Sequence, residues 1–157
     1  MEAFNIYDGE LHEDSDGPAG ACRRRHRFGG RIGASQLGMT VYELQPGEFI
    51  CPYHYEYPRE EWLLVLMGTP TLRDPDGEHE LEAGDVVCFL PGPGGAHKVI
   101  NRSAEPMRVV MLSTTDDPSV AVYPDSDKIG IWPGNDHDHI IVRRSSGVDY
   151  WEGEEVG

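Results

Sequence analysis

Apolar and β-branched residues recur along this chain in short runs of five to eight positions, each cut off by Gly, Pro, Asp or Asn. The runs are MTVYEL (39–44), EFICPYHY (48–55), EWLLVLMG (61–68), TPTLRD (69–74), EHELE (78–82), DVVCFL (85–90), HKVIN (97–101) and MRVVMLST (107–114). No useful window repeats apolar residues at the three-and-four spacing of a helix without a Pro or Gly inside it. Eight short strands so closely spaced predict an all-β sandwich or barrel. Asp74-Pro75-Asp76-Gly77 supplies the turn of a hairpin between the fourth and fifth runs, with Gly77 free to take positive φ. In the third run Leu63, Val65 and Met67 follow Glu61 on one face, and Trp62, Leu64 and Leu66 occupy the other. Both faces are apolar, as expected of a strand that fills an interior on one side and meets a second layer or subunit on the other.

Beyond these runs the chain lacks any second core pattern. Its 19 Gly and 12 Pro lie between runs and do not pool into a linker, and 157 residues suit one domain. Residues 36–115 are predicted as the core, with residues 1–35 and 116–157 as N- and C-terminal arms packed on it. The C-terminal arm holds Tyr150, Trp151 and a last strand candidate at 140–144, after a stretch rich in Asp, Pro and Gly that reads as loop.

A net charge of −15 argues against a nucleic-acid partner, because phosphate binding needs clustered Lys and Arg. The same charge attracts cations. The one basic run, Arg23, Arg24, Arg25 and Arg27, reads either as a solvated, salt-bridged face or as a contact for an anionic ligand. Cys22, Cys51 and Cys88 are odd in number and lack CxxC spacing, so neither a disulfide framework nor a zinc ribbon is expected and a reducing compartment is implied. The first residues are acidic, without the apolar stretch of a signal peptide, and no run approaches the ~18 apolar residues of a membrane span. A cytoplasmic protein without membrane contact is the expectation.

The candidate chemistry is concentrated in two places. His54, Glu56, Glu60 and Glu61 fall within eight positions, and His97 lies in a separate run. Strand alternation allows His54 and Glu56 to project together into an interior. Glu61 opens an apolar strand, where a carboxylate is costly to bury without a cation. Imidazoles gathered with carboxylates suit a first-row metal ion. A one-residue slip of register would exchange Glu60 for Glu61 on the inward face.

These two segments resemble the two motifs of the cupin superfamily. Gly47, His54, Glu61 and Gly68 match the first motif, with one extra residue between Gly47 and His54, and Gly84, His97 and Asn101 match the second. Two departures stand out: Glu56 replaces the family's second His, and about two extra residues lie in the stretch Pro91-Gly92-Pro93-Gly94-Gly95. The resemblance implies a double-stranded β-helix, or jelly-roll cupin barrel, holding a divalent transition metal, Mn, Fe or Zn, on His54, Glu56, Glu61 and His97. Three readings of Glu56 stay open: it ligates in place of the missing imidazole; it forms a facial triad for iron with His54 and His97; or the pocket is polar and metal-free. Arg108 would bind a 2-oxo acid under the second.

The functional expectation is a pocket for a small polar metabolite, sugar-derived or a carboxylate, with isomerase or dioxygenase chemistry and Glu56 or Glu60 moving a proton. The alternative is a non-catalytic small-molecule binding or sensing protein. The resemblance further implies a homodimer, for which Trp62, Leu64, Leu66, Tyr150 and Trp151 are candidate contacts. His137 and His139 read as solvated surface, Cys51 and Cys88 as buried apolar thiols near the motifs, and Tyr42, Phe49, Met67, Phe89 and Met111 as core or pocket wall.

Overall fold

A computed structural model describes residues 3–13 and 17–155. Among these residues the strands are β1 (His12–Glu13), β2 (Arg24–Arg27), β3 (Leu37–Leu44), β4 (Tyr55–Tyr57), β5 (Glu61–Met67), β6 (Thr71–Asp74), β7 (Gly77–Glu80), β8 (Val86–Phe89), β9 (Lys98–Ile100), β10 (Met107–Thr114), β11 (Ser119–Tyr123), β12 (Lys128–Trp132) and β13 (Ile140–Arg143). Among the described residues the helical pieces are 3₁₀ turns of three or four residues, so no described helix is long and apolar enough to cross a membrane.

The strands form a double-stranded β-helix. A six-stranded antiparallel sheet runs β1-β2-β3-β10-β5-β8, a four-stranded sheet β13-β12-β11-β4, and a three-stranded sheet β7-β6-β9. The inward face of the large sheet contributes Leu44, Leu63, Val65, Phe89, Met107, Val109 and Met111 to a buried cluster, met from the three-stranded sheet by Leu72 and Val99. The alternation in the sequence explains this, since residues two apart share a face and the apolar face turns from water. Asp74 pairs with Gly77 at φ +139, so the predicted hairpin forms at its predicted turn.

The run at 48–55 does not form a strand as expected. Phe49 and His54 make only isolated bridges, to Ala21 and Ile100 and to His97, and regular pairing begins at Tyr55. Pro52 cannot donate to a ladder, which breaks the run between the bridges. Conversely, four strands form where the pattern predicts none: β1 at His12–Glu13, the arginine run as β2, and β11 and β12 in the Asp- and Pro-rich stretch after 115. The terminal segments contribute strands to the sheets, β2 pairing with β3 and β11 with β4.

The outer face of the large sheet is partly covered by the chain itself. Leu64, Leu66 and Leu112 pack around Leu11, Val41 and Val110, with Phe4 and Ile6. Arg108 ties this N-terminal segment down: it is buried, pairs with Glu43 at 3.1 Å, and donates to the carbonyls of Tyr7 and Gly9. Of the apolar trio expected at a subunit contact, Trp62 alone stays largely open, at 42%.

Candidate metal centre

His54 and His97 are brought together by their own backbones. The His54 N–H donates to the His97 carbonyl at 3.1 Å and the His97 N–H donates back at 2.8 Å, leaving the ring centroids 4.8 Å apart. Each ring is then turned by a carbonyl: Nδ1 of His54 lies 3.0 Å from the Pro52 oxygen and Nδ1 of His97 lies 2.9 Å from the Gly95 oxygen. A carbonyl only accepts, so each Nδ1 carries the proton and each Nε2 presents a lone pair. Phe89 stacks on His97 at 3.7 Å and 9°, and Tyr123 on His54 at 5.8 Å and 19°, which fixes the ring planes.

Glu61, the first residue of β5, completes the group. Its Oε2 is 3.5 Å from His97 Nε2 and 3.8 Å from His54 Nε2, and the three donor atoms lie within 4.8 Å of one another. The buried Nε2 of His97 has no hydrogen-bond partner among the described residues. A buried acceptor aimed at a carboxylate beyond hydrogen-bonding reach is an uncompensated cost that a shared cation removes. Ligand bonds of about 2.1 Å place donors about 3.0–3.5 Å apart, so a small inward movement closes the set around a first-row ion. The residues present fit a metal ion.

Glu56 stands beside this trio. Its Oε1 is 3.8 Å from His54 Nε2, and its Oε2 is 3.9 Å from Arg59 Nη1. Glu60 is elsewhere: its carboxylate accepts the Trp62 Nε1 proton at 2.7 Å on the outward face, so β5 runs in the register that turns Glu61 inward. Arg108 is committed to the N-terminal segment and does not line the cavity. Asn101 braces the site without ligating, its Nδ2 donating to the Leu44 and Glu105 carbonyls at 2.9 and 2.8 Å. Cys51 lines the cavity, whereas Cys88 lies opposite Trp62 in the β5–β8 pair. His137 is exposed on Asp138, and His139 lies against Trp132 with centroids 5.1 Å apart.

The electrostatics reflect burial. Burial first, then the charge on Glu56, pushes the Glu61 carboxyl up to about 8, with Arg59 opposing. Burial, aided by His54 and opposed by the Gly95 hydrogen bond, brings His97 down to about 3. Burial also lowers His54 and raises Glu56, the latter against the pull of Arg59. Without a cation, then, neutral imidazoles face a carboxyl that holds its proton.

A pH dependence follows for protein stripped of metal. Glu61 is raised from an ordinary 4.5, so its stabilising contribution is complete below pH 4.5 and is lost as pH climbs through about 8. His97 is lowered from 6.5, so its contribution is present above 6.5 and is lost as pH falls toward about 3. Between pH 6.5 and 8 Glu61 dominates, and the melting temperature of the stripped protein is expected to fall across that window. Metal displaces the proton, so loaded protein should show no such fall. Scanning calorimetry of both forms checks this, and parallel curves would contradict it.

The cavity over the trio holds about 270 Å³ and is walled by Arg25 and Arg27 from β2, Tyr42 from β3, Met111 from β10 and Tyr123 from β11. The basic run thus divides: Arg24 pairs with Glu43 on one face, while Arg25 and Arg27 turn to the cavity. Tyr123 and Arg59 have no signature in the sequence, since Tyr123 lies in an unread strand and Arg59 is defined only by what it faces.

The family model described as Cupin domain matches residues 40–113. Among curated proteins, none matches the chain. The crystal structure of a sugar phosphate isomerase of the cupin superfamily from Silicibacter pomeroyi is 25% identical, with TM-score 0.79 over 92% of this chain and 94% of that one. A candidate sugar phosphate isomerase from Acidithiobacillus ferrooxidans is 23% identical, with TM-score 0.72 over 80% of each chain. The polyketide cyclase RemF from Streptomyces resistomycificus is 18% identical, with TM-score 0.61 over 74% of this chain and 80% of that one. The last two share the fold alone.

Proposed function

Since this chain belongs to the cupin superfamily, we propose that it is a metal-dependent isomerase of a small phosphorylated sugar. The observation that carries the reading is the convergence of His54, Glu61 and His97 with both Nδ1 protons taken up by carbonyls. These three residues would hold the ion. A divalent first-row ion there would draw electrons from a substrate carbonyl oxygen and so acidify the neighbouring C–H bond.

Glu56 is the proton carrier in this reading. It borders the cavity next to the trio, and burial, opposed by Arg59, raises its carboxyl above the ordinary carboxylate value, which helps one group both take and return a proton. Its carboxylate removes hydrogen from the carbon beside the carbonyl and delivers it to the former carbonyl carbon. The hydroxyl proton crosses from one oxygen to the other, so no atom is gained or lost. Arg25 and Arg27 supply what a phosphate needs in a chain of net charge −15, two guanidinium forks on one cavity wall. Likeness to the Silicibacter pomeroyi protein at 25% identity over 92% of this chain supports the substrate class.

The test is deuterium wash-in. Metal-loaded protein in D₂O is offered pentose and hexose monophosphates, and NMR follows exchange at the carbon beside the carbonyl together with aldose–ketose interconversion. Exchange that needs metal is the expected outcome. Stoichiometric metal with no exchange on any sugar phosphate would sink the isomerase reading in favour of a binding protein.

A further inference from the structure

A second hollow of about 370 Å³ adjoins the first, and Glu56 and Tyr123 line both. Most of its remaining wall is Trp132, the last residue of β12, with Arg59, Asp117, Asn135, Asp136 and His139 from the loops next to the strands of the four-stranded sheet. Gly130 leaves room for the Trp132 indole, because a Cβ there would meet the ring at 2.4 Å, so the indole folds back across β12. Asp117 holds Arg59, with Nη2 to Oδ1 at 3.1 Å, while Arg59 Nε donates to the Asp116 carbonyl at 3.2 Å.

The chemistry of this wall differs from that around Arg25 and Arg27. Three carboxylates, those of Glu56, Asp117 and Asp136, accompany one guanidinium that is already paired, so an anion is repelled. What the wall does offer is carboxylate and amide acceptors, amide and imidazole donors, and a flat indole face. A sugar ring presents the complement, hydroxyls at its edge and C–H bonds on its face.

We propose that this hollow is the hydroxyl-binding half of one elongated site. Resting on the isomerase reading above, this assigns a direction to the substrate. Its phosphate lies at Arg25 and Arg27, its reacting carbons C1 and C2 lie at His54, Glu61 and His97, and the hydroxyl-bearing carbons between them bow out against Trp132.

Calorimetric titration of the metal-loaded full chain with inorganic phosphate, ribose 5-phosphate and glucose 6-phosphate tests this. At least one sugar phosphate is expected to bind about tenfold or more tightly than inorganic phosphate. Trp132→Ala and Asp136→Ala should each erase most of that margin while leaving metal content and phosphate affinity in place, and Trp132→Phe should keep it. Arg27→Ala should weaken phosphate and sugar phosphate alike. The inference is overturned if neither sugar phosphate exceeds inorganic phosphate, or if the margin survives Trp132→Ala and Asp136→Ala. A margin that depends on Trp132 without deuterium exchange would overturn the isomerase chemistry alone; exchange with a margin indifferent to Trp132 would overturn this inference alone.

Discussion

Glu56→Gln is expected to keep one metal ion per chain while lowering deuterium exchange about 10²- to 10⁴-fold, the range for loss of a positioned proton carrier. The amide has nearly the same shape but cannot take the proton. The geometry separates Glu56 from the holding residues, since among the described residues only His54, Glu61 and His97 bring donor atoms within 4.8 Å of one another. Glu61→Gln and His97→Ala are therefore expected to empty the site and abolish exchange together. Elemental analysis of each purified variant, read beside its exchange rate, distinguishes the two roles. Loss of metal in Glu56→Gln would instead make Glu56 a fourth ligand, the substitution for the missing imidazole that its motif position suggested.

Gly95→Ala is expected to cost about 3 kcal/mol or more of stability, the scale of an overpacked core that must shift its backbone. A Cβ at Gly95 would lie 1.9 Å from the Leu90 carbonyl oxygen and 2.9 Å from the Leu90 C and N atoms. All three contacts are Leu90 backbone atoms, so there is no flexible side chain to yield. The same residue carries the carbonyl that takes the His97 Nδ1 proton at 2.9 Å, so the shift reaches the metal site as well. Metal affinity should fall about 10- to 100-fold in whatever fraction still folds, as for other partners of a ligating imidazole. Gly94→Ala is the control, because nothing lies within 4 Å of its added Cβ. It should stay within about 0.5 kcal/mol of the parent in denaturant titration. Equal effects at the two positions would show that the loop tolerates what the Leu90 contact forbids.

These expectations draw on both levels of reading. Alternation identified β3, β5, β8 and β10 because each buries its own apolar residues. The turn at 74–77 was legible because its residues carry the geometry. The motif glycines Gly47, Gly68 and Gly84 all take positive φ, between 84° and 98°, so the spacing marks turns as well as ligands. The short strands β1, β2, β11 and β12 carry no such pattern, since HE and RRHR are charged and the other two are bounded by Pro or Gly. Their stability comes from neighbours contributed by distant sequence, which no local pattern records.

By itself the sequence determined the fold class, the principal strands, the turns and the short roll of residues able to hold a metal, because period, propensity and motif spacing are local properties of the chain. Tertiary structure decided which of them meet. Backbone pairing of residue 54 with residue 97 set the imidazoles side by side, the register of β5 turned Glu61 inward and Glu60 outward, and β2 and β11 brought Arg25, Arg27 and Tyr123 to the cavity. Those choices belong to hydrogen bonds between segments far apart in sequence, and a shift of one residue in any of them would present the opposite face.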